Sequence, residues 1–195
     1  MSRRWTLRLV ACALGASAVL AGCSAGNQEA RETLPSPSSA APSEEELPPL
    51  GPEDFPMPAQ ARERTPEGAV EFTRYYVALA QFLAKQSRDP APLSQLSESC
   101  SICDRIARSL QEDRDAGYKY TAYEYSFRSN GPGLMMGDQA EVGFVYNQGP
   151  ITVVDSAGLP VASRSTGVTG DLQSGAALKW RDELQAWVIT TLTVG

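Results

Sequence analysis

Residues 118–128 read Tyr118-Lys119-Tyr120-Thr121-Ala122-Tyr123-Glu124-Tyr125-Ser126-Phe127-Arg128, and the hydrophobic period of the chain changes here. Tyr123, Tyr125 and Phe127 recur at every second residue, the spacing that puts side chains on one side of an extended strand. Aromatic side chains suit a pleated, half-buried surface, so the run predicts a strand. The same period persists downstream. Asn130-Gly131-Pro132-Gly133 supplies a turn, Ala140, Val142, Phe144 and Tyr146 alternate, and residues 151–154 continue the extended run. Asp155-Ser156-Ala157-Gly158 marks another turn, with a strand expected over 161–165. Two more extended segments, 177–181 and 186–194, flank the turn residues 182–184.

Upstream, the period is helical. Thr65-Pro66-Glu67 is a helix start: Thr as N-cap, Pro at the first helical position, and Glu where the helix dipole favours an anion. Ala69, Phe72, Tyr76, Leu79 and Leu83 then follow at three- and four-residue spacing, widened by Val70, Val77 and Phe82. Residues 87–92 break the helix, and Leu93 with Leu96 suggest a short turn. A second helix is expected from near Ser99, with Cys103, Ile106, Ala107 and Leu110 on one face and Gly117 as its C-terminal cap. Two helices followed by an antiparallel sheet make an α+β domain, one unit of roughly 130 residues over 65–195.

Before that domain the chain is rich in Ser, Pro, Ala and Glu. Segments such as Glu44-Glu45-Glu46 and Pro48-Pro49 bury too little apolar surface to offset their ordering entropy, so residues 24–64 are expected to form a disordered, semi-extended tether. Its last part, Phe55-Pro56-Met57-Pro58, is a candidate docking arm. Further back, Arg3 and Arg4 precede an apolar run from Trp5 to Ala21 that reads as a signal-peptide core and is short for a permanent span. Residues 1–22 are therefore assigned to a cleaved signal peptide.

Leu20-Ala21-Gly22-Cys23 resembles the lipobox of bacterial lipoproteins: an aliphatic residue, two small ones and a cysteine. The resemblance implies acylation of Cys23, by palmitate or a related chain, and anchorage on the extracytoplasmic face of the cell membrane. Ser2-Arg3-Arg4-Trp5-Thr6-Leu7-Arg8 looks like a twin-arginine export signal, and ordinary Sec export fits the same basic segment.

The order of elements resembles the nuclear-transport-factor-2-like, or SnoaL-like, cone fold, in which N-terminal helices pack into a curved antiparallel sheet. The residues that carry it are the Thr65-Pro66-Glu67-Gly68-Ala69 opening with Phe72 and Tyr76, and the closing pair Leu178-Lys179-Trp180 and Trp187-Val188-Ile189. Together with the lipobox, the acidic tether and Cys100-Ser101-Ile102-Cys103, they look like a family of actinobacterial lipoproteins. That resemblance transfers no catalytic residues.

Composition narrows the function further. Of 17 Lys and Arg, three lie at Arg3, Arg4 and Arg8; without them 14 basic residues face 23 acidic ones, a formal charge of −9. Nucleic acid is disfavoured as a partner, since phosphate binding needs a concentrated basic surface. The chain has no histidine, which removes the commonest general base, the usual Ser-His-Asp and Cys-His sites and the imidazole ligands of most catalytic metals. No cofactor or metal is expected.

Cys100 and Cys103 are the thiols left beside Cys23, because Cys12 leaves with the signal peptide. At C-x-x-C spacing outside the membrane they read as a structural disulfide, the alternative being a redox dithiol activated by a helix N-terminus. Among the acids, Asp113 with Asp115 and Asp182 with Glu183 read as solvated pairs. Glu124 is the residue to inspect for carboxylate catalysis by an isomerase or hydrolase. The stretch Gly167-Val168-Thr169-Gly170-Asp171-Leu172-Gln173-Ser174-Gly175 lacks the ending of a phosphate-binding loop and is expected to be a mobile connection. Leu134-Met135-Met136, at a hairpin tip, is a candidate partner contact.

Tyr76, Tyr123, Glu124, Tyr125 and Phe127 are the candidate pocket, and Tyr118 and Tyr120 belong to the same aromatic run. The favoured function is a non-catalytic module that binds a cell-envelope protein or a small apolar ligand.

Overall fold

The structure is a computed structural model that describes residues 49–195. Cys23 and the signal-peptide segment lie outside the described residues. Among the described residues no helix is long and apolar enough to cross a membrane.

Among the described residues a 3-10 turn (Ala59–Arg62) and three α-helices precede five strands. The helices are α1 (Pro66–Lys85), α2 (Ala91–Gln95) and α3 (Ser101–Asp115); the strands are β1 (Lys119–Ser129), β2 (Leu134–Met136), β3 (Gln139–Val154), β4 (Leu172–Arg181) and β5 (Ala186–Val194). All pairings are antiparallel, in the order β1-β3-β4-β5, with β2 beside the start of β3. The result is an α+β fold in which N-terminal helices cover one face of a curved sheet. Phe72, Leu79, Phe144, Trp187 and Ile189 form the dry centre between the layers, none with measurable exposure.

Local chemistry accounts for the helix ends. Thr65 Oγ1 accepts from the Gly68 amide at 2.9 Å, so the N-cap read from the sequence is the one that forms. Gly117, at φ 71°, follows α3, where a left-handed residue stops a helix.

Irregular pairing curves the sheet and sets which side chains face inward. Between Tyr120 and Ala122 the β1 register advances two residues against one on β3, so Thr121 is bulged. Tyr120 and Tyr123, which strict alternation would send to opposite faces, both point to the helices and stack at 5.8 Å. On β3 the extra residues fall at Gly149 and Pro150, where a proline without an amide proton costs the ladder nothing. A third shift, beside Leu178 on β4, places both Ile189 and Leu192 of β5 in the core.

The sheet edges are capped from within the chain. Gln81 and Arg74 of α1 donate to the carbonyls of Tyr123 and Phe127 on β1. On β5, the Ile189 amide and carbonyl bond to Leu96 and Glu98 at 3.0 and 2.8 Å. Both edges thus lose part of the free backbone that would pair with another chain.

Four sequence expectations need correction. Residues 50–64, placed in the tether by composition, pack on α1: Phe55 stacks between Tyr75 and Phe82, and Met57 and Ala61 are buried. A few apolar side chains with a ready groove outweigh a disorder-prone average. The strand expected over 161–165 is a turn, because Ser165 Oγ accepts from the Val153 amide and donates to the Val161 carbonyl, competing with a ladder. The Gly167–Gly175 stretch is not a free connection. Thr169 exchanges bonds with Gln148 at 2.9 and 3.0 Å, and residues 172–175 already belong to β4.

The fourth concerns Asp113. It is 2% exposed, not solvated, and it accepts a hydrogen bond from the Tyr120 hydroxyl. Arg164, from the 155–171 connection, reaches it and also bonds Glu112 and Ser109 at 2.8 and 2.9 Å.

Candidate functional site

The curved sheet and the two long helices do not close completely on each other. A cavity of about 270 Å³ remains between them. Tyr76, Val77 and Ala80 of α1 line it, as do Ile102, Arg105 and Ile106 of α3, each trio at the spacing that shares one helix face. The sheet contributes Tyr123 from β1, Phe144, Tyr146 and Gln148 from β3, and Leu192 and Val194 from β5.

Of the five candidate pocket residues, the structure puts two on the wall, Tyr76 and Tyr123. Tyr125 and Phe127 stand behind it, stacked on Tyr146 at 5.8 Å and on Phe144 at 4.6 Å. They hold the lining rings in place. Glu124 points the other way: its side chain is 71% exposed and meets Lys85 at 3.5 Å. Alternation along β1 requires this, since neighbours of inward Tyr123 and Tyr125 must face out.

The polar members of the lining are three tyrosines, Gln148 and Arg105. Tyr123 and Tyr146 face each other across the wall, and burial pushes both up from the usual tyrosine range. Tyr76, only 1% exposed, is pushed up to about 12 by burial. Its hydroxyl lies near Ser97 without an aligned hydrogen bond, Ser97 donating instead to the Leu93 carbonyl at 2.9 Å. These phenols stay neutral at physiological pH, so they can donate and accept hydrogen bonds but do not act as anionic bases or nucleophiles.

Among the described residues no carboxylate lines the cavity, and the one charged lining residue is Arg105. The buried acid of the domain, Asp113, is engaged by Arg164 and Tyr120. Among the described residues no group of His, Cys, Asp and Glu is placed to hold a metal ion.

Cys100 and Cys103 are joined in a disulfide across the first turn of α3, where Cys100 Sγ also accepts from the Cys103 amide at 3.2 Å. They are 2% and 1% exposed. Thiol exchange needs in-line access to a sulfur atom, which this burial denies. At the hairpin tip, Leu134 and Met136 are exposed while Met135 packs on the core.

Ten of the twelve lining residues were not among the pocket candidates: Val77, Ala80, Ile102, Arg105, Ile106, Phe144, Tyr146, Gln148, Leu192 and Val194. The spacing of Ile102, Arg105 and Ile106 was a usable signal. For Leu192 and Val194 none was, since only the register shift in β5 brings that end of the strand to the cavity.

No protein-family model matches the chain, and no curated protein matches it in sequence. Solved structures are similar to it. The intermembrane space region of the chloroplast protein ARC6 aligns at a TM-score of 0.52 and 12% identity, over 68% of this chain and 97% of that one. The two share a fold. A nuclear transport factor 2 (NTF2-like) superfamily protein from Salmonella enterica serovar Typhimurium aligns at a TM-score of 0.38 and 11% identity, over 66% of this chain and 90% of its own.

Proposed function

We propose that the chain is an extracytoplasmic lipoprotein of the actinobacterial type, held to the cell membrane through Cys23, whose folded domain binds a small ligand without catalysis. The observation that carries the binding role is the cavity between α1, α3 and the sheet, with mostly apolar walls and three tyrosines and Gln148 among its lining. Neutral phenols and an absence of carboxylates from its wall support binding over acid-base chemistry. The lipobox supports the anchorage, and the acidic segment behind it supports a domain held off anionic headgroups.

Two measurements test this. Mass spectrometry of the mature N-terminus is expected to find acyl groups on Cys23; an unmodified N-terminus at another residue would reject the anchor. Equilibrium dialysis with phenylacetamide, a neutral one-ring probe, is expected to show saturable binding that Ala80→Leu abolishes by filling the cavity. Retained binding in a folded Ala80→Leu protein, or none in the parent, would reject the site.

A further inference from the structure

We infer that the cavity selects a small amphiphile with an anionic head, a monocarboxylate whose body is one ring or a short acyl chain, with Arg105 as its counter-ion. The inference rests on the binding role proposed above and adds the ligand's charge and size. Arg74, Arg88, Arg164 and Arg181 each meet a carboxylate. Arg105, on the cavity wall, has neither an ion pair nor a hydrogen bond to another described residue. Asp104 beside it makes no ion pair with it, and Arg108, one turn on, is likewise unpaired among the described residues. Over this part of α3 Arg105 and Arg108 face one acid, Asp104, which also acts on Tyr76, so the spot carries a small cationic excess on an acidic protein.

Position fits the same assignment. Arg105 and Val194 are exposed members of the lining and so mark the mouth, while Tyr76, Ala80, Phe144 and Leu192 are buried at its depth. A ligand entering body first would place its head beside the guanidinium, whose planar fork matches a carboxylate with two parallel hydrogen bonds. Inside, Val77, Ala80, Ile102, Ile106 and Leu192 would cover the body. The volume, about 270 Å³, is under twice the roughly 150 Å³ apolar cavity that takes up benzene. One ring with a short arm therefore fits, and a two-chain membrane lipid does not. The phenols at the wall remain neutral and so do not repel the head.

The experiment compares phenylacetate with phenylacetamide, which differ in charge and hardly in shape, by equilibrium dialysis on the full-length protein in phosphatidylcholine nanodiscs. Phenylacetate is expected to bind about tenfold more tightly at low salt, as for one charge-assisted contact. Arg105→Gln is expected to erase that preference, bringing phenylacetate down to the affinity of phenylacetamide for the same variant, and Arg105→Lys to keep part of it. High salt is expected to shrink the gap. Equal affinities, or a preference that survives Arg105→Gln, would overturn the anionic head and leave the cavity reading intact. If neither probe binds, both fall together.

Discussion

Arg164 Nε stands 2.9 Å from Asp113 Oδ1 and thereby ties the long β3–β4 connection to the end of α3. The contact is an ion pair rather than an aligned hydrogen bond, and the well-directed bonds of Arg164 go to Glu112 and Ser109. Arg164→Ala leaves a carboxylate buried with only the Tyr120 hydroxyl for company. Removing one partner of such a pair costs more than the pair is worth, so a loss of about 2–4 kcal/mol is expected in urea denaturation. A loss below about 0.5 kcal/mol would mean that water reaches Asp113 when the arginine is gone.

The buried phenols give the domain a ceiling in pH. Burial pushes Tyr75 and Tyr76 up to about 12 from 10.0. Between those values the unfolded chain has released protons that the folded chain retains, so the folded state loses stability with every step upward in pH. The tyrosine contribution is complete below pH 10 and lost by about pH 12, with a slope near 1.4 kcal/mol per pH unit for each such residue. Absorbance at the phenolate band is expected to rise together with the loss of tertiary structure. Phenolate appearing near pH 10 with the fold intact for all tyrosines would contradict the burial.

What the sequence made legible was mostly local, though the Ser165–Val161 turn, equally local, was read as a strand. Thr65, Pro66 and Gly117 announced their helix ends because capping depends on neighbours a few residues away. The inward row of Tyr123, Tyr125 and Phe127 was readable for the same reason. Tyr120 required knowledge of the Thr121 bulge, a property of the pairing with β3 and not of β1 alone. Asp113 looked like any acid near a helix end until Arg164, 51 positions later in number, was brought beside it. Phe55 and Met57 stood out as a docking arm among prolines and acids, but the length of chain that packs with them, back to Leu50, did not. The disulfide was legible because both cysteines sit within one turn, whereas the cavity wall draws on five separate elements.

Gly68 illustrates a local rule overruled by packing. Replacing a helical glycine by alanine ordinarily stabilises by roughly 1 kcal/mol. Here a Cβ would lie 2.1 Å from the Glu63 carbonyl oxygen, backbone that Trp187 Nε1 also holds, at 2.9 Å. Gly68→Ala is therefore expected to destabilise by about 1–3 kcal/mol, as overpacking does, and to lower the melting temperature. A stabilised variant would show that the 63–65 segment moves away freely.

The Cys100–Cys103 bridge closes a loop of very few residues, so it restricts the unfolded chain little. The chain-entropy relation gives about 2 kcal/mol for a loop this short. Cys100→Ser with Cys103→Ser is expected to lower stability by that order and leave the fold in place. In the native protein both sulfur atoms are covered, so glutathione is expected to reduce the bridge only as fast as α3 opens locally. Reduction at the rate of an exposed peptide disulfide would return the redox reading.

Glu124 and its neighbour Tyr123 separate a binding cavity from a carboxylate enzyme. The Glu124 side chain is on the solvent face with one exposed ion pair to Lys85, a contact of small worth. Glu124→Gln is expected to change stability by less than about 0.5 kcal/mol and to leave probe binding unaltered. Tyr123→Phe, one residue away on the inner face, removes the hydroxyl that neighbours Tyr146 on the cavity wall. A buried hydroxyl left unpaired costs about 1–2 kcal/mol, unless water enters the cavity to replace the partner. The two substitutions should thus differ in both stability and binding, with the aromatic position the sensitive one. The reverse order, a silent Tyr123→Phe and a damaging Glu124→Gln, would mean that β1 pairs one residue out of register and presents its acid to the cavity.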